Sequence, residues 1–391
     1  MKNKDLKKNS SFLSVANIIE EARVGGPQIR NLMVASELKK KIDVSLIFPK
    51  KYSNNLKNRC KKIGVKYISV SLSTIKKDII SIIIYILLFP FEVIILSKIL
   101  KKGKFDIVHV SGGCWQCKGI FAAKLAKKKV IWELNDTYSP IIVRWIFFLL
   151  SNLADGFIFA SEKTKKYYTR FIFCKKKSFL IQSPVDTKFF DPNFNYVIKK
   201  SIKKLSFKDK ILIGTVANIN PVKDLMTLLN IAKKLSHYSN KVIFIVMGSV
   251  YESQRKYFKY LNDRINNFQI KNFFFLSSKN DIRPFLKAID IYTCTSKNES
   301  SPLSLWEAMS MEKAIVSTDV GDVKKFVKNS INGFTDEVGN VNNLSKKIRI
   351  LVDKPQLRKK FGKKSRQIIK NKLDVKICGK LHLKAYKDIA N

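Results

Sequence analysis

Two glutamates, Glu299 and Glu307, lie eight positions apart where a polar loop leads into an apolar helical pattern. Ser301 is predicted to cap this helix and Pro302 to be its first residue. The unpaired amides of the first turn attract an anion such as a phosphate, and the two carboxylates can accept hydrogen bonds from sugar hydroxyls. Ordinary capping electrostatics would also explain two glutamates beside a helix start. Their position favours chemistry, because glutamate is scarce in this chain.

Two strand-to-helix turns offer further contacts for a phosphate. The segment GTVANINPVKD contains Lys223, whose charge can neutralise a diphosphate, although most lysines of this lysine-rich chain are expected to be solvated. Gly25 and Gly26 follow the first predicted strand, and paired glycines let a phosphate or sugar approach the backbone closely. The pair lacks the GxGxxG spacing of a dinucleotide-binding turn, and a plain turn is the simpler explanation of the pair taken alone.

Short apolar runs alternate with helical patterns along the whole chain. The runs are rich in Val, Ile and Phe without clean alternation, which is typical of strands covered on both faces. The candidate strands before residue 190 are Phe12–Ile18, Ile42–Phe48, Val65–Ser71, Phe105–Val110, Val130–Leu134, Gly156–Ala160 and Ser178–Gln182. Those after residue 210 are Ile211–Val216, Val242–Met247, Phe273–Leu276, Ile289–Thr293 and Ala314–Ser317.

This repeated order predicts an α/β protein with two Rossmann-like, doubly wound parallel sheets that face each other across a cleft. The first domain is expected over residues 1–190 and the second over 211–370. Residues 191–210 are polar, basic and aperiodic, and they are interpreted as a linker. A basic helix is expected over 371–391, and a return of this helix to the first domain is one of the arrangements allowed.

The chain carries 75 Lys and Arg against 30 Asp and Glu, a formal charge of +45. The excess is shared almost equally by residues 1–190 and 191–391, and it consists mainly of Lys, whereas recognition of bases and phosphates favours Arg. A generally basic surface is therefore favoured, and a nucleic-acid-binding protein is kept as the alternative of a different class. Such a surface attracts anionic partners, including an acidic membrane face.

One segment, Ile79–Leu96, is long and apolar enough to be considered as a membrane span. Pro90 and Glu92 interrupt it and lysines crowd both sides, so it is interpreted as a helix in the core or in a membrane interface. The lysine-flanked region 76–102 is the predicted contact with an anionic membrane. Arg144–Leu150 is predicted to be core, and the polar N-terminus does not fit a signal peptide.

The six cysteines are spread over the chain, which does not fit a disulfide scaffold. Cys114 and Cys117 form a CxxC with no second pair to complete a zinc site. No metal site is therefore predicted.

The segment NESSPLSLWEAMSMEKAIVSTDVGD resembles the Glu-x7-Glu signature of the retaining glycosyltransferases of family 4, which have the two-domain GT-B fold. GTVANINPVKD is similar to the turn that carries the family's phosphate lysine, QSPVDTKFFDP to the segment that closes its first domain, and VGGPQIRN to its glycine loop. The resemblance extends over nearly the whole chain. It is strongest from Ile211 to Val341 and looser between Lys51 and Lys104.

The resemblance implies a nucleotide-diphosphate sugar as donor and a glycan or lipid-linked acceptor, with no cofactor and no metal required. Lys223 and the amides after Glu299 would bind the diphosphate, Glu299 the transferred sugar and Glu307 the ribose. Gly25 and Gly26 would let the first domain close over the phosphates. The implied donor-binding residues are Gly25, Gly26, Asn218, Lys223, Glu299, Ser300, Ser301, Leu303 and Glu307, and the implied catalytic residues are Glu299, Lys223 and Asp136.

Several positions depart from the family pattern. Asn218 stands where many members have an arginine, which leaves one phosphate charge to Arg23, Arg30 or another lysine. Ser300 and Asp322 stand where glycines are usual. These departures leave a catalytically degenerate, transferase-like scaffold as an alternative to an enzyme.

Acceptor contacts are expected in the first half of the chain. Many family members place a histidine there, and His109 lies near the end of a predicted strand, where a structural role explains it equally well. Asn135 or Asp136, after the next strand, is expected to contact the acceptor. The chain is thus expected to build a cell-surface polysaccharide or lipid-linked glycan as a cytoplasmic protein, peripheral on the inner face of the cell membrane.

Overall fold

The computed structural model describes residues 12–75, 78–173, 175–194 and 209–391, which form two compact units, each built on one parallel sheet. The first unit comprises the described residues of 1–160, 164–181 and 376–391. The second comprises those of 161–163 and 182–375. The predicted α/β class with two Rossmann-like sheets is therefore confirmed.

The first unit alternates strands and helices along the chain. Its strands are β1 Ser14–Ile19, β2 Asp43–Pro49, β3 Lys66–Val70, β4 Ile107–Gly112, β5 Lys129–Leu134, β6 Gly156–Phe159 and β7 Lys177–Leu180. The helices among them are α1 Gly26–Leu38, α2 Asn54–Ile63, α3 Ile79–Lys102, α4 Lys118–Leu125, α5 Ile141–Leu150 and α6 Glu162–Tyr168. In the described residues the strands pair in parallel in the order β3-β2-β1-β4-β5-β6-β7.

The second unit repeats this plan. Its strands are β8 Ile211–Val216, β9 Val242–Gly248, β10 Phe273–Ser277, β11 Ile291–Cys294, β12 Ala314–Thr318 and β13 Gly333–Asp336. The helices from here to the C-terminus are α7 Leu225–Lys234, α8 Arg255–Asn267, α9 Arg283–Ala288, α10 Leu303–Ser310, α11 Val323–Phe326, α12 Val341–Asp353, α13 Pro355–Lys372 and α14 Val375–Ala390. The strands described here pair in parallel in the order β10-β9-β8-β11-β12-β13.

The predicted strands all occur, with ends that differ by at most two residues, because runs of Val, Ile and Phe fill a sheet that helices cover on both faces. Strand β13 was not predicted, because its sequence GFTD is short and contains one large apolar residue. The helix after β8, α7, begins only at Leu225. Residues Pro221–Lys223 instead form a 3₁₀ turn that ends at Asp224, where φ is +45°.

Helices cover the two faces of the first sheet in two groups. Helices α3, α4 and α5 contribute to one core cluster, and α1, α2 and α14 contribute to the other. Tyr386 and Ile389 of α14 are buried in the same cluster as Val15 and Ile131. The last helix thus completes the core of the first unit. The predicted linker 191–210 lies mostly outside the described residues.

Helix α3 is held to the sheet along one side. Tyr85, Glu92 and Leu96 are buried, whereas most Ile and Leu side chains of its first three turns are exposed. By length and composition it is the one described helix that could cross a membrane, and 22% of its most apolar 18 residues are buried. Its exposed face argues against the core helix that sequence analysis left open.

Helix α5 corrects a second prediction. Arg144–Leu150 was predicted to be core, but Trp145 and Leu149 are exposed and Phe147 is the buried anchor. The Phe147 ring packs 5.1 Å from that of Trp132 in β5. One side of the helix packs on the core through Phe147, Val143 and Leu150, and the apolar side chains of the opposite side are exposed.

Candidate functional site

In the second sheet the chain adds strands outward from β8 on one side and from β11 on the other, so the strand order reverses between these two strands. The loops that follow β8 and β11 carry predicted site residues. The loop after β8 holds Asn218 and Lys223, and the loop after β11 holds Glu299. In open parallel sheets, ligands bind beyond the carboxyl ends of the strands at such a switch point. The topology therefore brings together Lys223 and Glu299, which lie 76 positions apart.

Lys223 and Glu299 form an ion pair, with 2.5 Å between Nζ and Oε1. The Ser296 hydroxyl donates to the same glutamate oxygen at 2.9 Å. Burial alone would lower the pKa of Lys223, but the charge and hydrogen bond of Glu299 outweigh it and raise that pKa. Lys223 is therefore cationic at neutral pH. Both side chains keep partial exposure, so a ligand can reach them.

Backbone hydrogen bonds hold these two loops together. Asn220 Oδ1 accepts from the amides of Val222 and Lys223 at 3.0 and 3.2 Å, which shapes the turn that carries the lysine. The Lys297 amide donates to the Val222 carbonyl at 2.8 Å and joins the second loop to the first. The pair is thus positioned by the fold before any ligand binds.

The backbone of Gly321 presses against the loop of Glu299. Its φ is +54°, and a Cβ there would lie 2.0 Å from the Ser300 carbonyl oxygen, so a side chain would displace this loop. Asp322 donates its amide to the same carbonyl at 3.1 Å, and its side chain accepts from Gln182 Nε2 at 2.7 Å. Asp322, at a position where glycine is usual, is therefore a structural residue, and burial raises its pKa. Ser300 is buried in the same contact.

Helix α10 begins one residue later than predicted. Pro302 is its N-cap, and the Ser301 hydroxyl makes no capping bond but accepts from Trp306 Nε1 at 2.9 Å. The predicted Ser301 cap is therefore wrong, because this hydroxyl serves the indole instead. Leu303 and Glu307 are buried in the first turns of the helix.

Arg30, one of the candidates to compensate for the missing arginine at Asn218, is not available for that role. Asn218 makes a long 3.4 Å hydrogen bond to the Tyr251 hydroxyl and carries no charge. Arg30 is buried in the first unit and paired with Glu133 at 3.0 Å, so the suggestion that it meets a phosphate is wrong. Arg23 stays exposed and remains a candidate.

Gly25 and Gly26 form the entry to α1 in the first unit. Gly25 is the N-cap, and its amide donates to the Gln28 side chain at 3.1 Å, which fixes the turn. A Cβ on Gly26 would have no atom within 4 Å. The backbone of this turn is therefore accessible to a ligand.

Asn135 and Asp136 follow β5 and present buried polar atoms with no hydrogen-bond partner among the described residues. These atoms are Nδ2 and Oδ1 of Asn135 and Oδ2 of Asp136. The Tyr168 hydroxyl donates to the other Asp136 oxygen. Burial raises the pKa of Asp136 to about 7, although the hydrogen bond from Tyr168 opposes this. Since buried polar groups normally have partners, this strand end indicates a place for a ligand or ordered water.

A buried charge network on the same strand was not predicted from the sequence. Glu133 accepts from Arg30, and its second oxygen lies 3.3 Å from His109 Nε2 and 3.6 Å from His382 Nε2 of α14. Burial would raise the pKa of Glu133, but the Arg30 charge holds it well below its usual range. His109 is fully buried here, which favours its structural role over an acceptor contact. No local signal reveals this network, because Arg30 and Glu133 lie 103 positions apart.

Glu20 is a second residue that sequence analysis missed. It is buried at the carboxyl end of β1 and accepts from the Lys118 amide at 2.9 Å and the Tyr85 hydroxyl at 3.0 Å. Burial raises its pKa to about 7 against the nearby Lys118 charge. The Lys118 ammonium also pairs with Glu92. This cluster ties α3 and α4 to the strand end, and a glutamate that closes an apolar strand is the signal that could have found it.

In the part of the chain that the structure describes, no group of three or more His, Cys, Asp or Glu side chains is placed to hold a metal ion. Cys114 and Cys117 are buried free thiols, and burial raises their pKa values to about 11 and about 12. Such thiols are poor nucleophiles and poor metal ligands in this protonated form.

Two family models match the chain in succession. Glycosyltransferase Family 4 matches residues 24–189, and Glycosyl transferases group 1 matches residues 197–368. The first match covers most of the first sheet, and the second covers the loops that carry Lys223 and Glu299.

Two relatives of this chain are also named as glycosyltransferases. The chain is 25% identical over 308 residues to N,N'-diacetylbacillosaminyl-diphospho-undecaprenol alpha-1,3-N-acetylgalactosaminyltransferase of Campylobacter jejuni, covering 74% of this chain and 79% of the relative. It is 23% identical over 282 residues to UDP-Gal:alpha-D-GlcNAc-diphosphoundecaprenol alpha-1,3-galactosyltransferase of Escherichia coli, covering 67% and 70%.

Solved structures share the whole fold at low identity. The Anabaena protein HepE in complex with UDP-glucose superposes with a TM-score of 0.82 at 16% identity, over 96% of this chain and 100% of that one. A glycosyltransferase from Rickettsia africae gives 0.80 at 18% identity, over 96% and 98%. The two parallel sheets, the two family matches and these relatives together identify the chain as a glycosyltransferase with the GT-B fold.

Proposed function

We propose that this glycosyltransferase is a retaining enzyme of family 4 that moves a sugar from a nucleotide-diphosphate sugar to a glycan or lipid-linked acceptor in cell-surface polysaccharide synthesis. The ion pair of Lys223 and Glu299 at the switch point carries the proposal. The spacing of Glu299 and Glu307 supports the family assignment. The names of the Campylobacter and Escherichia relatives, both with undecaprenol-linked acceptors, favour a lipid-linked acceptor here.

On the donor side, the diphosphate would replace Glu299 as the partner of Lys223. Glu299, released from the ion pair, would then accept hydrogen bonds from hydroxyls of the transferred sugar, and Glu307 from the ribose. The backbone at Ser300, Ser301 and Leu303 lies at the N-terminus of α10, and this helix end would attract the phosphates. Lys223 supplies positive charge at the leaving group, so we propose that no metal is needed.

The reaction exchanges one bond at the anomeric carbon for another. The bond from this carbon to the diphosphate oxygen breaks, and a bond to the acceptor hydroxyl oxygen forms on the same face of the sugar. The hydroxyl proton passes to an oxygen of the departing diphosphate. Catalysis then rests on orienting the two substrates and on stabilising the diphosphate charge.

On the acceptor side, we assign the hydroxyl to Asn135 and Asp136. The unpartnered polar atoms there would gain hydrogen bonds when a hydroxyl binds, which offsets their burial. Asp136 would accept from the reacting hydroxyl in its ionised form. The turn at Gly25 and Gly26 would let a phosphate approach its backbone closely.

Membrane contact is proposed for the region 76–102. Helix α3 exposes apolar side chains, and its C-terminal end carries Lys98, Lys101 and Lys102, which attract anionic lipid. Lys76 and Lys77 lie outside the described residues. Because buried Tyr85 and Glu92 tie this helix to the first unit, we place it along the cytoplasmic surface of the membrane.

The first experiment is thermal unfolding of the wild type and of Glu307→Ala with a panel of nucleoside diphosphates and nucleotide sugars, without added metal. A ligand at 100 times its dissociation constant adds about 2.7 kcal/mol of stability, which raises the midpoint by several degrees. We expect one nucleotide to stabilise the wild type and not the variant. Stabilisation by RNA but by no nucleotide would instead favour the nucleic-acid-binding alternative and withdraw the donor assignment.

A further inference from the structure

The first unit carries a second exposed apolar surface in addition to that of α3. We name it the apolar edge and define it by six side chains of α5 and of the loops after β4 and β5: Trp115, Tyr138, Ile141, Ile142, Trp145 and Leu149. Ile142 is 71% exposed and Trp145 is 65% exposed. Arg144 is the one charged residue of α5. Soluble proteins rarely expose so many large apolar side chains together to solvent, so we expect a binding partner to cover the apolar edge.

Topology places the start of α5 at the same end of the first sheet as the start of α3. In parallel β–α–β units each helix starts at the carboxyl end of one strand and runs back to the start of the next. Helices α3 and α5 therefore begin at the same sheet edge, with α4 between them in the chain and on the same face. Rings of Phe89 in α3 and Phe121 in α4, 5.4 Å apart, fix this packing.

The distribution of exposed side chains on α3 favours a fluid apolar phase over a protein partner. At 100° per residue, the exposed apolar residues between Ile79 and Ile95 cover roughly two-thirds of the helix circumference. A flat protein surface contacts one side of a helix, whereas lipid chains surround whatever protrudes into them. A second copy of this chain would leave much of this surface in water.

Aromatic residues and charge point to the same occupant. Trp115, Tyr138 and Trp145 combine an apolar ring with a polar tip, a type enriched where hydrocarbon meets head groups. The chain's net charge of +45 attracts an anionic membrane surface.

We infer that the apolar edge docks on an anionic bilayer together with α3, with the carboxyl end of the first sheet turned toward the lipid. Asn135 and Asp136 lie at this same end, in the loop that leads from β5 to α5. The surface therefore delivers the head group of a membrane-embedded acceptor to these residues. This inference rests on the proposed function and narrows its acceptor to a lipid presented from the bilayer.

The test uses the full chain and vesicles of phosphatidylcholine with phosphatidylglycerol. Ile142→Glu on α5 and Ile86→Glu on α3 are each expected to lower the vesicle partition coefficient at least about tenfold, because each places a charge where an isoleucine would be buried. The helix-matched control is Ile350→Glu on α12, whose side chain is 38% exposed, and it should change the coefficient less than about twofold. Brominated lipids should quench wild-type fluorescence more than that of Trp145→Phe.

Each outcome bears on the inference separately. Loss of binding in Ile86→Glu but not in Ile142→Glu, with no quenching of Trp145, would overturn the role of the apolar edge and leave α3 alone. A lipid-free dimer that Ile142→Glu converts to a monomer would assign the edge to a second copy and overturn the inference. Wild-type binding to vesicles without sugar transfer from any nucleotide sugar would contradict the proposed function but not the docking surface.

Discussion

The two units differ in how they compensate the charged side chains at the carboxyl ends of their strands. In the second unit, Lys223 and Glu299 neutralise each other, and the glutamate raises the pKa of the lysine. In the first unit, Asp136 has the neutral Tyr168 hydroxyl on one oxygen and no described partner on the other, and its pKa is raised to about 7.

This difference separates two tasks. An ion pair formed before the ligand arrives must be exchanged, so it selects a ligand that brings an anion for the lysine and hydroxyls for the glutamate. A carboxyl group whose pKa lies near neutrality changes its protonation state in the physiological range and responds to a hydroxyl beside it. The second unit is thus suited to holding charge, and the first to recognising a hydroxyl.

The largest effect should come from breaking the ion pair. Glu299→Gln should lower kcat about 10²–10³-fold, because the sugar loses an oriented charged acceptor of its hydroxyls. Nucleoside diphosphate should still bind, since Lys223 is then free to meet the phosphates. Steady-state transfer and calorimetric binding measure the two effects separately.

Glu252→Gln is the matched control, because this carboxylate is 80% exposed and pairs with a neighbour on its own helical turn. It should leave kcat unchanged. Full transfer activity in Glu299→Gln would show that the ion pair serves the fold alone. Activity lost equally in both variants would remove Glu299 from the site.

The next effect concerns Asp136. Asp136→Asn should lower kcat about a hundredfold at pH 8 and much less at pH 6. The pKa of about 7 means that the wild-type carboxyl is ionised and able to accept the hydroxyl above this pH and is protonated below it. The wild-type pH–rate profile should therefore rise through pH 7, and that rise should vanish in the variant.

Glu20 provides the control for this pH profile, because its pKa is also raised to about 7. Glu20→Gln should keep the rise through pH 7, since its carboxylate is occupied by the Lys118 amide and Tyr85. A rise that disappears in Glu20→Gln and persists in Asp136→Asn would transfer the assignment to Glu20.

A smaller effect is expected at the glycine turn. Gly26→Ala should raise the donor KM about tenfold, equivalent to about 1.4 kcal/mol, by keeping a phosphate away from the backbone. The thermal midpoint should not change, because the added methyl meets no atom within 4 Å. An unchanged KM would identify the turn as a plain helix entry.

The smallest effect should follow metal removal. If Lys223 supplies the charge at the diphosphate, as we propose, chelation with EDTA should change kcat by less than about twofold. Activity that disappears with EDTA and returns with Mg²⁺ would contradict the metal-free assignment.

Local patterns predicted much of this molecule, and contacts between distant residues account for the rest. The strands were visible because their apolar runs are continuous, and the Glu-x7-Glu spacing singled out Glu299 without reference to a fold. No local sequence pattern indicates the ion pair of Arg30 and Glu133, because these residues lie 103 positions apart and meet through a buried contact. The exposure of α5 could not be predicted either, since the apolar pattern of a helix is the same whether the helix packs on protein or contacts lipid.

The position of α14 has a consequence for how the protein is made. Its His382 and Tyr386 close the buried network around Glu133, yet residues 376–391 leave the ribosome after the entire second unit. One face of the first sheet therefore stays incomplete, with the apolar α3 already synthesised, until α14 has been translated. During synthesis the second unit can complete its own core before the first unit does, so we expect the first unit to depend more on chaperones.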